Sequence, residues 1–264
     1  MLLLKLLIVP LFLCGVSLAA RRWGPQIGGL LAGFPVVTGP ILFFLSVEQG
    51  SEFAARAAQG SLLAVIACIA FGVAYSHSSR KYQWPLAVIL GFLSWLAAAA
   101  ALARFPGSLP WAAALTLLFV TAGPFLLPPC PEPERLPASI VRSELAIRMV
   151  AGAVLVLIVT VAASAVGTRW AGLMTVFPVL SSVLGVFSHR QSGPPFVAHL
   201  FRGMFRGFYS FATFCVSLAL LLGSLPTAAA FAAAVALALL VQGGVYWATA
   251  PDSLSKPTPL RGAA

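Results

Sequence analysis

Charge is what this sequence has least of. Only 8% of its 264 residues are Asp, Glu, Lys or Arg, where a soluble domain carries about 25%. So few charges cannot cover a water-facing surface, and an ordinary soluble domain is excluded. Acidic residues are scarcest, six in all with a single Asp. Glu132, Glu134, Glu144 and Asp252 fall in predicted cytoplasmic loops or at helix ends, where solvated side chains are expected. No apolar run holds an Asp, Lys or Arg at its centre, so the mid-membrane carboxylate relay of a standard proton antiporter is missing. Of the four cysteines, Cys14, Cys68 and Cys215 lie in apolar runs and Cys130 in a Pro-rich stretch. They show no C-x-x-C or Cys/His spacing, which argues against a metal site and a disulfide framework. There is no Walker loop, no H-E-x-x-H and no arguable triad or carboxylate pair. The sequence therefore predicts no enzyme and no cofactor. A channel stays open as an alternative, although the sequence shows no charge ring or carbonyl-filter motif.

What is present is apolar. Hydrophobic residues make up 60% of the chain and mean hydropathy is +1.00. A bilayer core of about 30 Å takes roughly 20 apolar residues per helix, and the Leu- and Ala-rich runs lack the alternation of barrel strands. Nine runs are predicted to span, near 2–20, 26–47, 57–76, 84–103, 109–128, 146–166, 170–188, 200–223 and 226–248. The first also has features of a signal peptide, but it is read as retained because the repeat described below needs a partner for the sixth run. The net charge of +10 is read as loop charge rather than as a nucleic-acid footprint. Counting loops alternately places twelve Lys and Arg on one side and four on the other. By the positive-inside rule the first side is cytoplasmic, with the N-terminus outside and the C-terminus inside.

One phrase occurs twice. Positions 29–60 and 172–203, offset by 143, share Gly29/Gly172, Leu30/Leu173, Phe34/Phe177, Pro35/Pro178, Val36/Val179, Phe44/Phe187, Gly50/Gly193, Phe53/Phe196, Ala55/Ala198 and Gly60/Gly203. Greasiness alone does not bring Pro and Gly into register. With nine spans, the turns at Gly50 and Gly193 fall on opposite faces, so the halves are inverted, as is typical of secondary transporters. The expected fold is an all-α polytopic transmembrane bundle of about nine spans, two inverted four-helix repeats joined by a central helix. Residues 1–106 form the first repeat and 107–144 the linking helix with a cytoplasmic Pro-rich loop. Residues 145–250 form the second repeat and 251–264 a cytoplasmic tail.

Pro35 and Pro178 each remove a backbone donor within an apolar run, and the freed groups must find partners or line a cavity. The candidate substrate-binding set is therefore Gly29, Gly33, Phe34, Pro35, Gly172, Phe177 and Pro178. The plainer alternative is a packed kink, and the small residues of "GGLLAG" at spacing four permit close helix approach. Candidate coupling or gating residues are Glu48, Arg56, His189 and His199. Glu48 sits at the edge of an apolar run and its repeat mate is Gln191; the mate of Arg56 is His199. Glu52 and Arg56 have the i,i+4 spacing of a helix ion pair. His199, Arg202 and Arg206 share one helix face, where lipid-phosphate contact is the plainer reading.

The half-unit opening "GGLLAGFPVV" and followed by "EQG" resembles small four-helix bacterial inner-membrane proteins of the GlpM-like kind. The likeness covers Gly28 to Gly60, with an echo from Gly172 to Gly203 that departs at Ala171, Thr175 and Val176 and has Gln191 where the first copy has Glu. It implies a fused pair of such units and brings no substrate or catalytic residues with it. The reading is thus a bacterial inner-membrane transporter or exporter of a small solute, sited between broken helices 2 and 7. Its partners are the bilayer and that solute, with no nucleic acid; a homodimer is one assembly the sequence permits. The rival reading is a non-transporting scaffold or assembly factor.

Overall fold

The computed structural model describes residues 2–104, 108–131, 142–165 and 177–249. Helices dominate, and no strand occurs among the described residues. In chain order they are α1 (Leu2–Trp23), α2 (Pro25–Ala32), α3 (Thr38–Gln49), α4 (Ser51–Ser79), α5 (Trp84–Leu102), α6 (Leu109–Leu126), α7 (Arg142–Ala165), α8 (Val179–Leu221) and α9 (Thr227–Thr249). Pro25, Pro85 and Pro110 sit in the first turns of α2, α5 and α6, where the missing N–H costs nothing.

Seven of these helices, α1 and α4 to α9, are long and apolar enough to cross a membrane, against nine predicted runs. The difference has two physical sources. The run at 26–47 is two short helices, α2 and α3, separated at Gly33–Val37, because Pro35 leaves Leu31 without its usual i+4 donor. The described part of the run at 170–188 and the run at 200–223 are joined within α8, whose Gly193 leaves the helix at φ 73°, ψ −178°.

That glycine turns α8 back on itself. Ser181 Oγ lies 3.3 Å from Met204 Sδ, and Phe201 packs at the α-carbon of Gly185. A straight helix would hold Ser181 and Met204 about 34 Å apart. So α8 is a hairpin with a first arm before Gly193 and a second after it. Gly50, at φ 90°, ψ 163°, makes the equivalent junction between α3 and α4. Both glycines adopt a conformation that is essentially closed to other residues.

Helix α1 runs antiparallel to α7. Arg21 pairs with Glu144, Arg148 Nη1 donates to Ser17 Oγ at 3.2 Å, and Leu13 fills the notch at Gly152. Helix α4 runs antiparallel to the second arm of α8: Tyr75 packs on Phe201 (6.0 Å between centroids), and Gly72 lies against Phe201 and Phe205. Helix α6 bridges α4 and α8. Thr116 Oγ1 donates to the Leu62 carbonyl at 3.1 Å, Thr121 Oγ1 lies 2.9 Å from the Tyr209 hydroxyl, and Gly123 meets both Ile69 and Phe205. The helix starts keep the 143-residue offset: Ser51 and Pro194 each follow the turn glycine, and α5 starts at Trp84 where α9 starts at Thr227. Glu144 lies in the first turn of α7, at a helix end as expected, but it is tied to Arg21 with its side chain 26% exposed rather than fully solvated.

Candidate functional site

The two Phe-Pro steps carry the same local backbone. Val36 N–H bonds the Phe34 carbonyl at 2.8 Å, and Val179 N–H bonds the Phe177 carbonyl at 2.7 Å. Pro178 has φ −77°, ψ 59°, an inverse γ-turn. The proline carbonyls then open the next helices, bonded by Gly39 N–H at 2.9 Å and Ser182 N–H at 2.9 Å. In the first copy, the Phe34 N–H turns to Leu31 at 3.0 Å. This leaves the Leu30 carbonyl to Gln242 Nε2 of α9 at 2.9 Å. Gln242 Oε1 in turn accepts from Ser210 of α8. A glutamine from the far end of the chain thus satisfies a backbone group released by the break, as a low-dielectric interior requires.

The two steps converge on one cavity of ≈150 Å³. Phe34, Phe177 and Pro178 line it together with residues of α1, α3, α4, α7 and α8. Five pairs related by the 143-residue offset face it: Phe34/Phe177, Val37/Leu180, Thr38/Ser181, Val65/Phe208 and Cys68/Phe211. Its polar groups among the described residues are the hydroxyls of Thr38, Thr160 and Ser181 and the Cys68 thiol. Phe177 is held from behind by Phe92 and Trp95, with centroids at 4.8 and 5.2 Å.

The other candidates separate by place. Gly29 and Gly33 do not line the cavity. They form the close contact of α2 with α8, in which a Cβ on Gly29 would sit 1.9 Å from the Leu200 carbonyl and one on Gly33 2.5 Å from that of Met204. Gly203 and Gly207 answer from the other side, at 2.0 Å from the Gln26 carbonyl and 2.4 Å from the Leu30 carbonyl. Pro35 is buried at the break and outside the cavity lining, and Gly172 lies outside the described residues. Glu48 is exposed at the end of α3. Arg56 is exposed and paired with Glu52, a contact worth little at such exposure. His189 Nδ1 lies 3.4 Å from the buried Tyr75 hydroxyl.

His199 is 7% exposed and turned inward. Its Nε2 lies 3.1 Å from the Pro131 carbonyl and its Nδ1 3.0 Å from Gln26 Nε2. A carbonyl only accepts, which puts a proton on Nε2.

Sequence reasoning missed Arg148. It is 5% exposed, bonds Ser17 and Gln191, and lies over the Phe187 ring at 5.3 Å. Its signal was its position as the last charge before a long apolar run, which was assigned to a loop. No metal-binding cluster of His, Cys, Asp or Glu occurs among the described residues. Comparisons with family models, curated proteins and solved structures return no match to this chain.

Proposed function

We propose that this chain is a multi-pass membrane protein that moves a small solute through the cavity where the two Phe-Pro steps meet. The single observation that carries the reading is that convergence: two distant copies of one phrase line one ≈150 Å³ space, and each supplies a backbone break to it. Inverted repeats are part of the proposal. The antiparallel courses of α1 against α7, and of α4 against the second arm of α8, support them, because mates of an inverted duplication that meet at its axis run in opposite directions. The basic side chains at the junction of α1, α7 and the α8 turn favour that end as cytoplasmic, in a bacterial inner membrane. A fused pair of GlpM-like units is the origin this reading suggests. The cavity then serves a solute of about the size of benzene, the occupant of an apolar cavity of similar volume.

Reporter fusions after Gly50 and after Gly193, active on only one side of the membrane, test the inversion. They are expected on opposite faces, and a common face would mean a parallel duplication. Cysteines at Phe34 and Phe177 test transport. A water-soluble thiol reagent should reach them from one face at a time, whereas two sites dry from both faces would leave the scaffold reading in place.

A further inference from the structure

Between the cavity and the basic end of the bundle, α1 and α7 close in three layers. Leu13 is pressed into Gly152. Above it Arg148 bonds Ser17 and Gln191, and above that Arg21 pairs with Glu144. The middle layer is the unusual one. An arginine with 5% exposure is costly inside apolar surroundings unless fully engaged, and here it spans three elements: α1, α7 and the first arm of α8. A small void of ≈10 Å³ adjoins it, where Ser17, Ser188, Ser192 and the two arginines meet the apolar side chains of Ala20, Leu184, Phe196 and Leu200. The same 143-residue offset relates Arg148 to Lys5 and Gln191 to Glu48. Where one end of the bundle carries Arg and Gln, the sequence thus supplies Lys and Glu for the other.

We propose that Arg148 is a latch that closes the cavity toward the basic end, and that Glu48, the repeat mate of its partner Gln191, serves the same purpose at the opposite end when the two repeats exchange conformations. The proposal rests on the transport reading and adds the groups that set which end is shut. Each latch holds its own end closed only in the state in which it is engaged. Loss of one therefore shifts the population toward the state in which that end is open, and loss of the other shifts it back.

The test uses the full chain with Cys14, Cys130 and Cys215 replaced by Ala. Cys68, which lines the cavity, then reports access. A membrane-impermeant maleimide is applied to each face in turn, using intact cells and inside-out vesicles. Arg148→Ala should speed labelling from the basic face about tenfold or more, the order expected for losing bonds to a charged group. Gln191→Leu, which removes the partner and keeps the arginine, should act in the same direction to a smaller extent. Glu48→Gln should slow labelling from the basic face and speed it from the opposite one. Arg148→Lys should recover part of the closure. The latch is overturned if Cys68 of the parent reacts from one face at a time while Arg148→Ala and Gln191→Leu leave its rates unchanged. It is overturned equally if Arg148→Ala and Glu48→Gln shift the rates the same way, as general loosening would. A Cys68 unreactive from both faces in the parent and every variant would instead sink the transport reading on which the latch depends.

Discussion

At the scale of single residues, glycine divides into two kinds of work. Gly50 and Gly193 supply a backbone conformation, at φ 90° and φ 73°. Gly29, Gly33, Gly203 and Gly207 supply the absence of a side chain, letting α2 lie on α8 with backbone against backbone. Where surroundings are as apolar as the side chains themselves, such close backbone contact is one of the forces that hold helices together. Gly29→Ala should therefore lower stability by about 1–3 kcal/mol, the cost of overpacking. Gly15→Ala, on the exposed side of α1 with no described atom within 4 Å of the added carbon, should stay within about 1 kcal/mol of neutral. Thermal unfolding of the two variants in the same detergent compares them, and equal shifts would contradict the contact. The same spacing of small residues that suggests a ligand site from sequence thus has a packing role here.

At the scale of elements, the consequential feature is that a run of helical residues need not be one rod. In α8 the turn at Gly193 brings Ser181 to Met204 and Gly185 to Phe201. A Ser181→Cys, Met204→Cys chain lacking the native cysteines should cross-link readily with a short bifunctional thiol reagent. A straight α8 would keep the two about 34 Å apart and give no cross-link within one chain. The break between α2 and α3 works in the opposite sense, dividing one apolar run into pieces of 8 and 12 residues. Both features follow from a Pro or Gly visible in sequence. Which of them turns the chain and which merely interrupts it does not follow, because that depends on the packing partner: α4 for α3, and the second arm of α8 for the first.

At the scale of the whole molecule, the two halves are held chiefly by four interfaces: α1 with α7, α2 with α8, α4 with α8, and α6 with α8. The third sets the buried rings of Phe71 and Tyr75 edge-on and tilted against Phe201. The two halves should therefore remain together without a covalent link. Residues 1–131 and 132–264, expressed as separate chains with a purification tag on the first, are expected to co-purify. Recovery of the tagged piece alone would mean that these interfaces are too weak to hold the fold. Arg148 sits where the α1–α7 interface meets the first arm of the α8 hairpin, the place the proposed latch would act.

Much of the fold was legible before any coordinates. The scarcity of charge and the length of the apolar runs determine an all-helical chain, since few other structures satisfy a backbone among so many apolar side chains. The recurrence of Phe-Pro and of a glycine fifteen residues beyond Pro35 and Pro178 determines where the backbone breaks and turns, because those residues act through their own covalent geometry. The site was legible only in part. Phe34, Phe177 and Pro178 meet at the cavity, but nothing in the local sequence separates them from Gly29 and Gly33, which pack on a helix some 170 residues away. Arg148 read as a loop charge because its partners Ser17 and Gln191 lie 131 and 43 residues distant. Local geometry is written in the residues that impose it; the engagement of a buried charge, and the side on which a glycine meets a neighbour, exist only once distant segments are in contact.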